Sequence, residues 1–332
     1  MDWQDMFSLS VQEALGPSAV VYCLAAIGLN VHFGYTGLLN FGQAGFMAVG
    51  GYAIASTVTS FGLPFLLGVV FGLLATVVLA LLLGVPTLRL RADYLAIVTI
   101  AAAEIIRLML GSIALTDYFG GQSGLQDFSD TFRSWSPISG PVGILGLVSW
   151  RANDFWVMVV GWTLVLICCL IVFLLMRSPW GRVLKSIRED EDAVRSLGKN
   201  VYSYKMQSLI IGGMFGALAG FMTALESAAI NPAFFATDIT FFAYTVLLIG
   251  GAARVLGPVA GAIIFWFLIS FLGVFFAQAT EGAAPLIPPE IMTSQQASLI
   301  RFIVLGLALM LLMIFRPQGI FGDRRELAID AR

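Results

Sequence analysis

Apolar runs of roughly 17–25 residues recur along the chain, and stretches rich in charge, glycine or proline separate them. Each run is long enough to cross a bilayer as a helix. Bounding the runs by charge, Gly and Pro predicts nine candidate spans, at 18–33, 44–60, 63–84, 94–115, 155–176, 206–230, 239–253, 255–277 and 299–315. Two read as less than full spans, since 44–60 follows a glycine-rich approach and 239–253 is short. The stretch SIREDEDAVRSLGKN (186–200) interrupts the pattern most sharply: seven of its fifteen residues are charged, in a chain with 11% charged residues.

Lys and Arg distribution orients the runs, because basic loops stay on the cytoplasmic side. Segment 177–205 holds Arg177, Arg182, Lys185, Arg188, Arg195, Lys199 and Lys205, which places it inside. Arg89 and Arg91 mark a second inside loop, Arg254 a third, and Arg316, Arg324 and Arg325 an inside C-terminus. Segments 231–238 and 278–298 carry no Lys or Arg, and 116–154 carries only Arg133 and Arg151, so all three are expected outside. Alternation through nine spans then puts the N-terminus outside.

Composition agrees with this class. Of 332 residues 59% are hydrophobic, more apolar surface than a soluble domain could cover with so few charges. An all-α polytopic membrane protein of about eight or nine transmembrane helices is expected, as one transmembrane domain over 1–332. The net charge of −2 says nothing about nucleic acid, and none is expected as a partner. Cys23, Cys168 and Cys169 lie inside apolar runs and read as buried thiols. The one histidine, His32, has no partners for a metal site. The N-terminal stretch lacks the basic region of a signal peptide, so the first run is expected to stay in the protein.

The charged stretch reads as a helix. Ser178 and Pro179 suit the N-cap and N1 positions, and Gly198 suits a left-handed C′. Between them Trp180, Val183, Leu184, Ile187, Val194 and Leu197 recur at helical spacing over about 28 Å, with Glu189–Asp192 as the place for a break. The acidic run favours a protein groove over anionic headgroups as what the helix meets. Glu104 and Arg107, three apart in an apolar run, share a helical face and can pair. They are costly in a bilayer and mark either a translocation pathway or a packing contact. Asn40 and Gln43 lie in a glycine-rich stretch, preceded by Asn30 and His32, that reads either as close helix packing or as substrate contact. GGQSGL (120–125) reads either as a turn for an external partner or as a link between helices. No arrangement suggests catalysis, and no nucleotide-binding loop is present.

Both halves also hold a glycine-broken element, FGYTGLLNFGQAGFMAVGGY (33–52) and LLIGGAARVLGPVAGA (247–262), on either side of a central helix at 155–176. Such pairs suit an inverted repeat.

The chain resembles the LivM-type permeases of branched-chain amino acid ABC importers. The resemblance rests on GLNVHFGYTGLLNFGQAGFMAVGGYAIA (28–55), LRLRADYLAIVTIAAAEIIRL (88–108), GGQSGL (120–125), WGRVLKSIREDEDAVRSLGKNVYSYK (180–205), ALAGFMTAL (217–225), LIGGAARVLGPVAGA (248–262) and RPQGIFG (316–322). It implies a cell-membrane importer, bacterial or archaeal, in which this chain joins a LivH-like second permease, two cytoplasmic ATPases and an extracytoplasmic binding protein. ATP and Mg would sit on the ATPases, leaving this chain without a cofactor. EDAVRSLG (191–198) resembles the coupling signature of importer permeases: Glu191, Ala193 and Gly198 match, and Asp192 departs from it. Ile187, Arg188 and Leu197 complete the expected coupling surface, with the apolar stripe of 179–197 as its docking face. The alternatives are a permease for urea, amides or other small solutes, and an ion-coupled secondary transporter working alone.

Overall fold

The computed structural model describes residues 3–90, 92–144, 148–280 and 293–322, so Arg91, Arg324, Arg325 and most of segment 278–298 lie outside the described residues. Fourteen α-helices carry the described chain: α1 (Trp3–Leu15), α2 (Pro17–Leu29), α3 (Gln43–Thr59), α4 (Phe65–Thr87), α5 (Ala92–Leu110), α6 (Thr116–Phe119), α7 (Asp130–Ser134), α8 (Ala152–Arg177), α9 (Pro179–Glu189), α10 (Glu191–Ser196), α11 (Val201–Ser227), α12 (Thr237–Gly250), α13 (Gly257–Thr280) and α14 (Ser294–Phe315). The protein is an all-α polytopic membrane protein, and each of the nine apolar runs forms a helix.

Among the described residues, five segments are long and apolar enough to cross a membrane: Pro17–Tyr35, Phe65–Thr87, Ala152–Arg177, Val201–Ser227 and Gly257–Thr280. A sixth arises if Tyr94–Leu110 and Ile113–Phe119, bent by 63°, act together. Helices α3 (17 residues) and α12 (14 residues) are shorter, and α14 runs 22 residues, with Leu299–Phe315 as its apolar part. The two short helices have visible causes. Helix α3 starts only at Gln43 because residues 37–42 are not helical. Helix α12 stops at Gly250 because Gly251 takes φ of 110°.

The spans sort into an inner and an outer set. Of their apolar windows, 83% of Pro17–Tyr35 and 72% of Val201–Ser227 are buried inside the chain, against 22% for both α4 and α13. A helix that stays apolar all round while its own chain leaves it uncovered is built to face lipid. Helices α2 and α11 instead form the centre together with α3. The crossing of α3 and α11 depends on glycine: a Cβ on Gly50 would lie 2.5 Å from the Ala217 carbonyl oxygen. Small residues there let the two backbones touch.

Some elements were not legible in the hydropathy pattern. Helix α1 turns Met6, Ser10 and Ala14 inward at four-residue spacing, and Phe7 meets Phe267 of α13 edge-on at 5.8 Å. Two small antiparallel ladders close the connections. Strand β1 (Leu125–Gln126) pairs with β4 (Ala229–Ile230), and β2 (Val142–Ile144) with β3 (Val148–Trp150). GGQSGL (120–125) is thereby a structural turn. Gly120, Gly121 and Gly124 all have positive φ, the Gln122 side chain donates to the Gly111 carbonyl at 3.4 Å, and β1 follows directly.

Candidate functional site

At its end α2 widens into a π-helical turn, Asn30–Tyr35, and the chain then runs unwound to Gln43. A π-turn frees backbone groups from the regular ladder, and in apolar surroundings each must find another partner. Gly37, in the left-handed region at φ 74°, makes the reversal. The Phe41 amide donates to Thr99 Oγ1 of α5 at 3.0 Å, and the Ala44 amide to Thr240 Oγ1 of α12 at 3.0 Å. The Tyr244 hydroxyl, also on α12, donates to the Asn40 carbonyl at 2.9 Å. Thr36 bonds Ser208 of α11 through the two hydroxyls, 2.7 Å apart. Side chains from three helices thus replace the missing intrahelical bonds.

Inside the break the polar side chains bond one another. Asn40 Nδ2 lies 3.1 Å from His32 Nδ1 and 3.3 Å from Gln43 Oε1. His32 Nε2 is 3.2 Å from the Leu209 carbonyl, so the network assigns the tautomer with Nε2–H donating and Nδ1 accepting from Asn40. Gln43 Nε2 donates to the carbonyls of Ala25 at 3.4 Å and Gly212 at 3.3 Å. His32, Asn40 and Gln43 are fully buried.

The second glycine-broken element packs against the first. Asn30 Oδ1 accepts from the Ala253 amide at 2.8 Å, while its Nδ2 donates to the Arg254 carbonyl at 2.8 Å. One amide side chain therefore spans the break after α2 and the break between α12 and α13.

The charged segment is two helices. Asp190 ends α9 in extended backbone and caps α10, its carboxylate accepting from the amides of Asp192 at 3.0 Å and Ala193 at 2.9 Å. At the other end Gly198, at φ 76°, donates to the Arg195 carbonyl, and Lys199 to that of Val194. This is a Schellman cap. Ser178 and Pro179 hold the N-cap and N1 positions as expected, but the serine hydroxyl turns back to the Leu175 carbonyl instead of capping α9. The expected apolar docking stripe turns inward. Leu184, Ile187 and Val194 pack with Val201 in a small core, because the short helices fold back on the start of α11. The surface left outside is polar: Ala193, Gly198 and a ladder in which Arg195 bridges Glu191 at 2.9 Å and Asp192 at 3.0 Å, with Leu197 79% exposed among them. Glu191 also pairs with Lys205.

This segment touches the break. Arg188 of α9 donates to the Gly34 carbonyl, inside the π-turn. Beside that contact lies a cavity of about 270 Å³ lined by Thr36, Leu38, Leu95, Ile187 and Glu191, among others.

Residues 17–315 match the family described as branched-chain amino acid transport system / permease component. The chain is 30% identical, over 92% of its length and 69% of the relative's, to the high-affinity branched-chain amino acid transport system permease protein LivM of Escherichia coli. It is 25% identical to the probable LivM of Methanocaldococcus jannaschii, over 92% of this chain and 91% of that one. A nucleoside ABC transporter permease protein, NupC of Lactococcus lactis, is 24% identical over 74% of each. The chain belongs to the branched-chain amino acid transport permease family. It is a multi-pass membrane permease of an ABC importer, a transport subunit and not an enzyme, and it works with ATPase and substrate-binding components.

Within this permease, the ten residues singled out from sequence fall into three places. Asn40 and Gln43 sit in the buried break. Ile187, Arg188, Glu191, Ala193, Leu197 and Gly198 sit along the α9–α10 hook, with Ile187 buried and Arg188 reaching the break. Glu104 and Arg107 form a two-pronged pair on α5, 2.9 Å from Nε to Oε2 and 2.5 Å between the other prongs, with side chains 38% and 25% exposed. They lie on the same helix as Thr99 but outside its network. Thr99, Thr240, Tyr244 and Ser208 were missed, since a lone hydroxyl in an apolar helix carries no periodic or spacing signal.

Proposed function

We propose that this permease carries branched-chain or other hydrophobic amino acids inward by alternating access, and that α9–α10 is where ATPase motion enters the chain. The observation that carries this reading is the Arg188–Gly34 bond. It ties the capped, solvent-facing hook directly to an unwound turn on which α2, α5, α11 and α12 converge. A force on the hook reaches a place where four helices share side-chain bonds instead of close-packed ladders. Relatives named for branched-chain amino acid transport support the substrate class.

In this reading segment 177–205 is cytoplasmic, as its seven basic residues require, and the N-terminus lies outside. A LivH-like permease completes the membrane unit, two ATPases dock on the polar face of α10, and an extracytoplasmic binding protein delivers the solute. Charge pairs set the register of that docking. Glu104 and Arg107, partly uncovered on α5, face the translocation pathway.

The test is uptake of labelled leucine, urea and a nucleoside by the complete importer in proteoliposomes, with and without ATP and the binding protein. ATP-dependent leucine uptake is expected. Uptake by this chain alone, driven by an ion gradient, would overturn the reading.

A further inference from the structure

One large cavity borders the π-turn on the side of α8 and α13. It measures about 930 Å³, within the size range of small-molecule sites (about 300–1,000 Å³), and it opens between the end of α8 and the start of α13. Its two ends differ in chemistry. On α8 the lining runs from Cys169 to Arg177, eight residues or about 12 Å along the axis, close to the depth of one leaflet's hydrocarbon. Deep in the groove the walls are Cys169, Phe173, Val259 and Ala260. At the shallow end stand Arg177, Lys185 of α9 and Arg254 of the α12–α13 break, and no carboxylate is among the lining residues.

The cations are held in place by aromatic rings. Arg177 lies over Phe173 at 4.0 Å, and Lys185 over Tyr35 at 5.9 Å. Among the described residues neither forms an ion pair, in contrast to Arg195 on the same hook and Lys205 at the start of α11. The flank of the groove is the lipid-facing surface itself: Leu170 and Leu256 are more than half exposed. A fixed cluster of cations at headgroup level, above an apolar slot open to the acyl region, is complementary to one class of molecule.

We propose that this groove binds an anionic phospholipid from the leaflet that contains α9, its phosphate between Arg177 and Lys185 beside Arg254 and one acyl chain along Phe173 and Ala260. The assignment rests on the membrane placement of α8 and α13 and on the orientation of segment 177–205; it is independent of the solute carried. Because Lys185 belongs to the hook and Arg254 to the second break, the bound lipid would join the two through its headgroup.

The test is native mass spectrometry of the assembled importer, exchanged into phosphatidylglycerol or phosphatidylcholine of identical acyl chains. The expected result is phosphatidylglycerol retained through delipidation about tenfold better than phosphatidylcholine. Adding inorganic phosphate should leave the adduct unchanged, and the Arg177→Gln, Lys185→Gln double variant should lose it. Ala260→Trp fills the apolar slot without touching charge and should also lose it. If the double variant does not assemble, Ala260→Trp alone decides the question.

Equal retention of the two lipids would overturn the proposal, as would displacement by free phosphate. So would phosphatidylglycerol surviving Ala260→Trp, which would leave only diffuse surface attraction. An adduct on the isolated chain but none on the assembled importer would make the groove a subunit contact, and that outcome also overturns it. These readings are masses, so an importer that proves to carry another solute would still give the same answer about the lipid.

Discussion

The Arg188 guanidinium donates to the Gly34 carbonyl across a gap of more than 150 residues in sequence, and joins the α9–α10 hook to the π-turn at the end of α2. That carbonyl belongs to a turn whose regular helix bonds are already lost, so the side chain fills a need the backbone cannot meet itself. A charged donor to a buried carbonyl is worth about 1.5–3 kcal/mol.

Arg188→Gln should therefore uncouple the importer more than it unfolds it. ATPase activity of the assembled complex should persist, while solute carried per ATP hydrolysed falls about tenfold or more. Arg188→Lys should recover part of the ratio. Equal loss of uptake and assembly would assign the bond a packing role only.

Asn30→Ala removes the side chain that spans both breaks. It leaves the Ala253 amide and the Arg254 carbonyl without that partner in an apolar setting, at about 1–3 kcal/mol. A lower melting temperature in detergent is expected, with faster hydrogen exchange around residues 251–256 than in α11.

Gly37→Ala meets two obstacles: a left-handed φ of 74°, and Arg188 Cγ 3.1 Å from the new methyl. The backbone cost alone is about 1–2 kcal/mol. The variant should purify in lower yield and share the uncoupling of Arg188→Gln, which a remote surface glycine such as Gly62 would not.

Asp190→Ala loses the cap of α10, at about 1 kcal/mol. Exchange protection should fall across Glu191–Ser196 while the membrane helices keep theirs. Binding of the ATPase subunits in pull-down should weaken in parallel.

Glu104→Gln keeps the shape of the α5 pair but removes its charge. The expected outcome is an importer that assembles with normal stoichiometry and shows uptake at least tenfold slower. Failed assembly with normal transport by the residual complex would make the pair a packing contact.

The sequence made much of this architecture readable, and the reason is that membrane solvent imposes a strong pattern. Nine apolar runs became nine helices. The capping residues Asp190 and Gly198 bounded α10, because caps obey local rules. What escaped was whatever depends on partners distant in sequence. Ile187 and Val194 have the spacing of a docking stripe whether the surface they meet is another protein or Val201 of the same chain. Thr99 and Thr240 look like filler until the break at residues 37–42 lies beside them. Helix α1, with polar Ser10 on its buried face, has too weak an apolar pattern to stand out.

The burial of α2 has a consequence for how the protein is made. Its turn inserts polar groups whose partners are far behind in synthesis: His32 meets Leu209, and Gln43 meets Gly212, 177 and 169 residues later. At about 5–20 residues per second, those partners leave the ribosome some ten to thirty seconds afterwards. Throughout that interval α2 and its turn lack the bonds from His32 and Gln43 to α11, although His32, Asn40 and Gln43 can already bond one another. The α2–α11 bonds of this turn therefore close only after α11 emerges. A helix made early thus waits on one made much later.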